Sequence, residues 1–289
     1  MPIEASEFIQ NSDGSVYHLN LLPKHLAKTV ILVGDPDRVE RITRHFDRIE
    51  FKIKKREFNT QTGYYKGKRI SVMSTGIGPD NIDIVLNELD ALVNIDFDTR
   101  ELKEELTSLD IIRIGTTGSI QKEIPVDSFL ISESAIGFDG LLHFYESEHI
   151  QNSEFAQAFS KHLDWFEKKA APYVIDGSEN LISHMESSRV HKGVTATNIG
   201  FYGPQGRILR LALQDNKMND KLALFSFNNR KITNLEMETS AIYGLSKLLG
   251  HNAISMNAVI ANRAAGTFSE NPKKTVDGLI QYSLEQLVK

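Results

Sequence analysis

The 289-residue chain contains no cysteine. That excludes a disulfide framework and any thiolate metal site, and it is compatible with a reducing, cytoplasmic setting. No apolar run approaches the roughly 20 residues of a membrane-spanning helix, so no membrane partner is expected. The first residues, MPIEASEFIQNSDGS, are acidic and polar and lack the apolar core of a secretory signal. Positive charge is not in excess either. Lysine and arginine number 33 against 38 acids, interspersed, for a net charge of −5, which disfavours nucleic acid as a partner. No GxGxxG or GxxxxGK[ST] pattern occurs, which disfavours dinucleotide and P-loop binding. Internal repeats, low-complexity tracts and Pro/Ser-rich linkers are also missing, which favours one domain over 1–289 with an N-terminal arm at about 1–27.

What is present is an ordinary globular composition, 40% apolar and 25% charged, on a chain long enough to bury a sizeable core. Strand-like segments are TVILVGD (29–35), KRISVMSTG (68–76), DIIRIGTTG (110–118), SFLISESAIGF (128–138), KGVTATNIGF (192–201) and NAISMNAVIANRA (252–264). Helical spacing appears in Val39, Ile42 and Phe46, and in Ile82, Val85, Leu86, Leu89, Leu92 and Val93. It appears again in Met237, Ala241, Leu245 and Leu248, and in Val276, Leu279, Ile280, Leu284 and Leu287. Apolar strands alternating with amphipathic helices predict an α/β layered domain around a mostly buried sheet.

Three of these strands run into glycine or small hydroxyl residues: VGDPDR (33–38), STGIGPDN (74–81) and RIGTTGS (113–119). Ligands of α/β sheets sit at the carboxyl ends of strands, where glycine lets the backbone approach them. Asp35 fits a helix N-cap and Pro36 the first helical position, so free N–H groups and the positive dipole end face an anion. Arg38 in that first turn runs against the usual preference for acids there, unless it too faces an anion. Arg113, read as one residue from the end of its strand with Thr116 and Thr117 beyond, is costly among isoleucines unless an anion meets it. Two guanidiniums, hydroxyls and backbone N–H groups suit phosphate. Each feature also has a plainer reading: a Gly-rich turn, or for Arg113 a buried ion pair.

Two further constellations stand out. In NLEMETS (234–240), Glu236 and Glu238 open a helix, either as simple helix-start electrostatics or as a carboxylate for a sugar cis-diol. In FYGPQGR (201–207), Phe201 and Tyr202 offer rings to a planar base, Gln205 a donor and an acceptor, and Arg207 donors only. The plainer reading there is an exposed turn.

Taken in order, VYHLNL, GDPDRV, KREF, STGIG, RIGTTG, FYGPQGR, EMET and VIANR resemble the nucleoside phosphorylase family, its uridine phosphorylases most closely. The resemblance implies a three-layer αβα sandwich whose central mixed sheet is partly barrel-like. It implies phosphorolysis of uridine to uracil and ribose 1-phosphate, a pentosyl transfer of pyrimidine salvage, with inorganic phosphate as co-substrate and no metal or organic cofactor. It implies Gly34, Arg38, Arg113 and Thr116 on phosphate, and Thr116, Met237 and Glu238 on ribose. Thr117, Gly118, Phe201, Gln205 and Arg207 fall at the base, and Arg113, Glu238 and Arg207 carry the catalysis. Arg56 and His18 match residues that a neighbouring subunit lends, which implies a homo-oligomer, dimer or hexamer, with shared active sites. The aspartate that protonates purines in relatives falls at Asn262. A monovalent interface cation is implied near Glu57, although Asn81 stands where a serine is expected. The segment 94–110 is longer than the usual link, charged and partly helical in pattern, and is expected to affect assembly. The alternatives are a purine nucleoside phosphorylase or a nucleosidase of the same superfamily, or a non-catalytic nucleoside-binding protein.

Overall fold

A computed structural model describes all residues, 1–289. Twelve strands form one mixed sheet: β1 (Thr29–Val33), β2 (Arg48–Lys55), β3 (Phe58–Tyr65), β4 (Lys68–Ser74), β5 (Asp110–Ser119), β6 (Phe129–Gly137), β7 (Tyr173–Asp176), β8 (Val190–Thr197), β9 (Ser226–Phe227), β10 (Arg230–Glu236), β11 (Asn252–Asn262) and β12 (Thr267–Phe268). Seven α-helices flank it: α1 (Pro36–Thr43), α2 (Pro79–Asn94), α3 (Ser153–Leu163), α4 (Glu179–Met185), α5 (Met218–Leu224), α6 (Thr239–Leu248) and α7 (Pro272–Leu287). The path runs β12-β11-β6-β8-β10-β5-β1-β4-β3-β2, and a parallel β11–β5 pairing closes five strands into a ring. The αβα sandwich with a partly barrel-like sheet is thus as expected.

The central strands are buried on both faces, so they read as unbroken apolar runs. Along β1, Val30 and Leu32 join one core with Leu86 and Leu89 of α2 and Ile242 and Leu245 of α6. Ile31 and Val33 join the opposite core with Val39 and Ile42 of α1 and Leu279 and Ile280 of α7. The same alternation in β5 sends Ile112 and Ile114 to the second core and turns Arg113 to the face of Ile111.

Several expectations change. β5 does not stop near Arg113 but runs on through Thr116 and Thr117 to Ser119, because β11 pairs with it as far as Asn262. Arg113 is therefore a mid-strand residue facing into the ring. α6 starts at Thr239, so Met237 lies before it, and residues 239–246 are all buried, leaving no polar face. Small residues allow this: a Cβ at Gly244 would meet Leu142 Cδ1 at 2.5 Å. β8 ends at Thr197, short of the FYGPQGR loop. The segment 94–110 is not helical; α2 ends at Asn94, and an Ile95–Leu102 bridge and turn follow. The β2–β3 hairpin, β7, β10 and α3 to α5 were not anticipated, and β10 matters most because it carries Glu236.

Candidate active site

A cavity of about 680 Å³ opens where β1, β4 and β10 end, beside the second half of β5. Of the residues singled out in the sequence, Gly34, Arg38, Arg113, Thr116, Thr117, Gly118, Phe201, Gln205, Arg207, Met237 and Glu238 all line it. Tyr202 does not; it is half exposed beside the Phe201 ring. His18 and Arg56 are also absent from its walls.

Two arginines, Arg38 and Arg113, lie together in the cavity wall. Asp35 caps α1 by accepting from the Asp37 backbone N–H at 3.0 Å, with Pro36 in the first turn, as the sequence predicts. Arg38 then points back along the sheet. Its Nη1 donates to the Ile114 carbonyl at 3.1 Å, while its Nε is buried without a partner. Burial, and then the charge of Arg113, lower the Arg38 pKa to about 10. A buried guanidinium repelled by another one is what a site that awaits an anion looks like.

Arg113 sits against a different surround. Burial opposes its charge, but the carboxylates of Glu236 and Glu238 outweigh that and raise its pKa. Its Nη2 lies 2.5 Å from Glu238 Oε2 and 3.2 Å from Glu236 Oε2. Its Nη1 donates to Asn257 Oδ1 at 2.7 Å. The register explains the reach: on β11, Ser255 is opposite Arg113 and Asn257 is opposite Gly115. Because Gly115 has no side chain, the guanidinium folds across it to the diagonal neighbour. A Cβ on Gly115 would stand 2.0 Å from Arg113 Nη1. Asn257 in turn donates to Ser132 Oγ at 3.3 Å and Ser255 Oγ at 3.2 Å, so its carbonyl is held toward Arg113. No local sequence pattern signals that role.

The two glutamates divide their work. Glu236 Oε2 accepts from the backbone N–H groups of Glu238 and Thr239, both at 2.9 Å, so it caps α6 from the strand before it. Glu238 faces the cavity between Arg113 and the Gly78 N–H, which donates to it at 3.0 Å. Burial pushes the Glu238 carboxyl up, against the opposing pull of Arg113.

The FYGPQGR loop forms a short 3-10 turn, Gly203–Gln205, with Gly206 at φ 69°. Arg207 stacks 3.7 Å from the Phe201 ring centroid and donates through Nη1 to Gln205 Oε1 at 2.5 Å. Burial, then Arg263, lower the Arg207 pKa. Arg263, whose side-chain role went unread in the sequence, donates to the Gln205 and Gly206 carbonyls and pins the loop to the end of β11. Asn262 is not on the cavity wall. Its amide nitrogen donates to the Gln121 and Ile124 carbonyls at 2.9 and 2.8 Å, and its oxygen accepts from the Ala265 N–H.

His18 and Arg56 meet on the outside. The Tyr17 ring lies between them, 4.8 Å from the His18 ring and 5.8 Å from the Arg56 guanidinium. His18 Nδ1 is 2.6 Å from Glu88 Oε1 on α2. Glu57 follows Arg56 in the hairpin turn, and its Cγ would be 3.3 Å from a Cβ on Gly76, beside the Asn81 amide.

The phosphorylase superfamily model matches residues 28–284, nearly the whole chain. The chain is similar to the uridine phosphorylase of Thermococcus kodakarensis, at 31% identity over 93% of this chain and 86% of that one. It is also similar to the uridine phosphorylase of Haemophilus influenzae, at 32% identity over 86% of each. A solved Trypanosoma brucei nucleoside phosphorylase, described as showing uridine phosphorylase activity, superposes with a TM-score of 0.87 at 30% identity, covering 97% of this chain and 99% of that one. Matched by that family model over nearly its whole length, the chain belongs to the phosphorylase superfamily.

Proposed function

We propose that the protein is a uridine phosphorylase: it transfers the ribosyl group of uridine to inorganic phosphate, reversibly, giving uracil and ribose 1-phosphate. The observation that carries this is that one cavity is lined by two groups, Arg38 and Arg113 with Glu238 bonded to Arg113, and Gln205 bonded to Arg207. In this reading Gly34, Arg38, Arg113 and Thr116 hold phosphate under the anomeric carbon. Glu238 takes the sugar hydroxyls beside Met237, and the ring lies between Thr117–Gly118 and Phe201. A phosphate oxygen bonds to C1′ as the C1′–N1 bond breaks, through a sugar resembling a ribosyl cation. The electron pair leaves with uracil, where Arg207 and Gln205 meet the charge on its carbonyl oxygens, and the ring nitrogen then takes a proton from water. Placement and charge stabilisation supply the catalysis.

Purine nucleosides fit less well. The superfamily also includes purine enzymes, and a DeoD-type purine nucleoside phosphorylase of Alkaliphilus metalliredigens is similar at 28% identity. Yet Asn262 spends both of its amide hydrogens on carbonyls and has none to offer a purine. A hydrolase has no need of Arg38 and Arg113 together.

Charge supports a shared site. Arg38 and Arg113 are balanced by Glu236 and Glu238, so one chain brings no net cation to a phosphate dianion. Arg56, exposed near the half-buried His18, supplies that charge from a second copy in this reading, in a dimer or a hexamer built from dimers. One carboxylate does not hold a cation alone, so a monovalent ion at Glu57 belongs to the same pairing of two copies. The enzyme is expected in the cytoplasm. The reading is tested by initial rates of uracil release from uridine with and without phosphate. Phosphate-dependent release supports it, and equal rates in phosphate-free buffer refute it.

A further inference from the structure

We propose that the 94–110 segment, through Arg100, is a brace that sets the position of His18 and Arg56; this rests on the reading that those two residues serve the paired subunit's site. Arg100 adopts a left-handed backbone, φ 59°, just after the turn over 97–99. From there its guanidinium reaches the N-terminal arm at four points. Nε donates to the Ile3 carbonyl at 2.8 Å, and Nη2 to the Glu4 carbonyl at 2.9 Å and the Phe8 carbonyl at 2.5 Å. Nη1 donates to Gln10 Oε1 at 3.0 Å. The Ile3 N–H returns a bond to the Arg100 carbonyl at 2.8 Å, and Phe8 packs edge-on against Phe97 of the same segment at 5.1 Å. A forked cation spending its donors on one short stretch of backbone fixes that stretch more firmly than a lysine would.

Gln10 is where this anchoring passes on. It bridges Val16, closing a loop whose centre is Asn11. The Asn11 amide nitrogen donates to the Val16 carbonyl at 2.8 Å and Ser15 Oγ at 2.9 Å. Its oxygen accepts from Lys55 Nζ at 2.9 Å, and Lys55 also donates to the Tyr17 carbonyl. Lys55 immediately precedes Arg56, and Tyr17 immediately precedes His18. One continuous set of contacts therefore runs from Arg100 through the arm to both residues. The segment touches neither the cavity nor the outward patch itself, so Arg100 is a positioning residue and not a catalytic one.

The site that loses its alignment when Arg100 is removed is the neighbour's. This gives the brace a signature that general loss of stability lacks. Arg100→Ala is expected to raise KM for uridine by about tenfold with a smaller change in kcat, less than the roughly hundredfold that a misplacement of about 1 Å at the chemistry itself costs. Gln10→Ala, which removes the Arg100–Gln10 bond and a weaker one to the Gly14 carbonyl but spares the arm's other anchors, is expected to shift KM in the same direction by less. The deciding experiment uses doubly tagged heterodimers of Arg100→Ala with Arg113→Ala, alongside heterodimers of Arg56→Ala with Arg113→Ala. In the first pair, the one working site lies on the Arg100→Ala chain and receives His18 and Arg56 from a chain whose Arg100 is intact. It is expected to show wild-type KM and half the wild-type kcat per dimer. A raised KM in that hybrid, or an unchanged KM in the Arg100→Ala and Gln10→Ala homodimers, overturns the brace alone. Failure of the Arg56→Ala pair to regain activity removes the shared site, and the brace with it.

Discussion

Gly115→Ala is a single-methyl change whose consequence the geometry sets. The added carbon would stand 2.0 Å from Arg113 Nη1 and 2.5 Å from Cζ, where ordinary contact begins at about 3.4 Å. The guanidinium must retreat by about 1.4 Å. A free side chain would do so cheaply, but this one is held by Glu236, Glu238 and Asn257. Retreat stretches a buried ion pair, and overpacking of this kind costs about 1–3 kcal/mol of stability. Alanine tolerates the backbone here, since Gly115 does not have positive φ. A misplacement of about 1 Å at the reacting centre lowers the rate on the order of a hundredfold. The expected outcome is a folded protein with lowered Tm and kcat/KM for phosphate reduced by about that factor. The assay is uracil release against phosphate concentration, with thermal unfolding in parallel. Wild-type kinetics in phosphate would refute the placement of Arg113 argued here.

Four further outcomes follow from the same geometry. Keeping Arg38 charged in its buried site costs on the order of 3 kcal/mol, so Arg38→Met should raise Tm in phosphate-free buffer while abolishing the added stability that phosphate gives the wild type; unchanged Tm in both buffers contradicts this. Because phosphate needs that charge, and the pKa of Arg38 is lowered to about 10, KM for the phosphate dianion should climb as pH rises through about 10; a profile that stays flat above that pH contradicts it. Glu238→Ala should cost uridine more than 2′-deoxyuridine, and equal losses in kcat/KM would remove the carboxylate from the 2′-hydroxyl. Asn262→Asp should give no inosine phosphorolysis and should destabilise by at least about 1–3 kcal/mol, because a carboxylate then faces two carbonyls; a stable variant that cleaves inosine contradicts this.

What the sequence makes legible is what local chemistry decides. The Asp35–Pro36 start of α1, the apolar stripe of α2 and the tail helix α7 all follow from caps and period. Every site residue that the family resemblance implies within one chain lines the cavity, while Tyr202, the second ring offered by its loop, does not. What stays hidden is decided across the sheet. That Arg113 is mid-strand depends on β11, 142 residues later, pairing alongside it. Glu236 looks like part of a helix start, yet it closes β10, and only the strand–helix junction reveals it as the cap of α6. The β2–β3 hairpin does carry a readable signal: in RIEFKIKK alternate residues are half buried, a period of two within a charged composition. For Asn257 and Arg263, the partners lie on other elements and no sequence spacing reports them.

The most direct measurement of the central claim follows the phosphorus. Uridine and inorganic phosphate are incubated with the protein, and 31P NMR is read beside uracil absorbance. The account predicts a ribose 1-phosphate resonance that grows in step with uracil, one for one, while inorganic phosphate falls. Uracil released with the phosphate signal unchanged, and free ribose in its place, would contradict it.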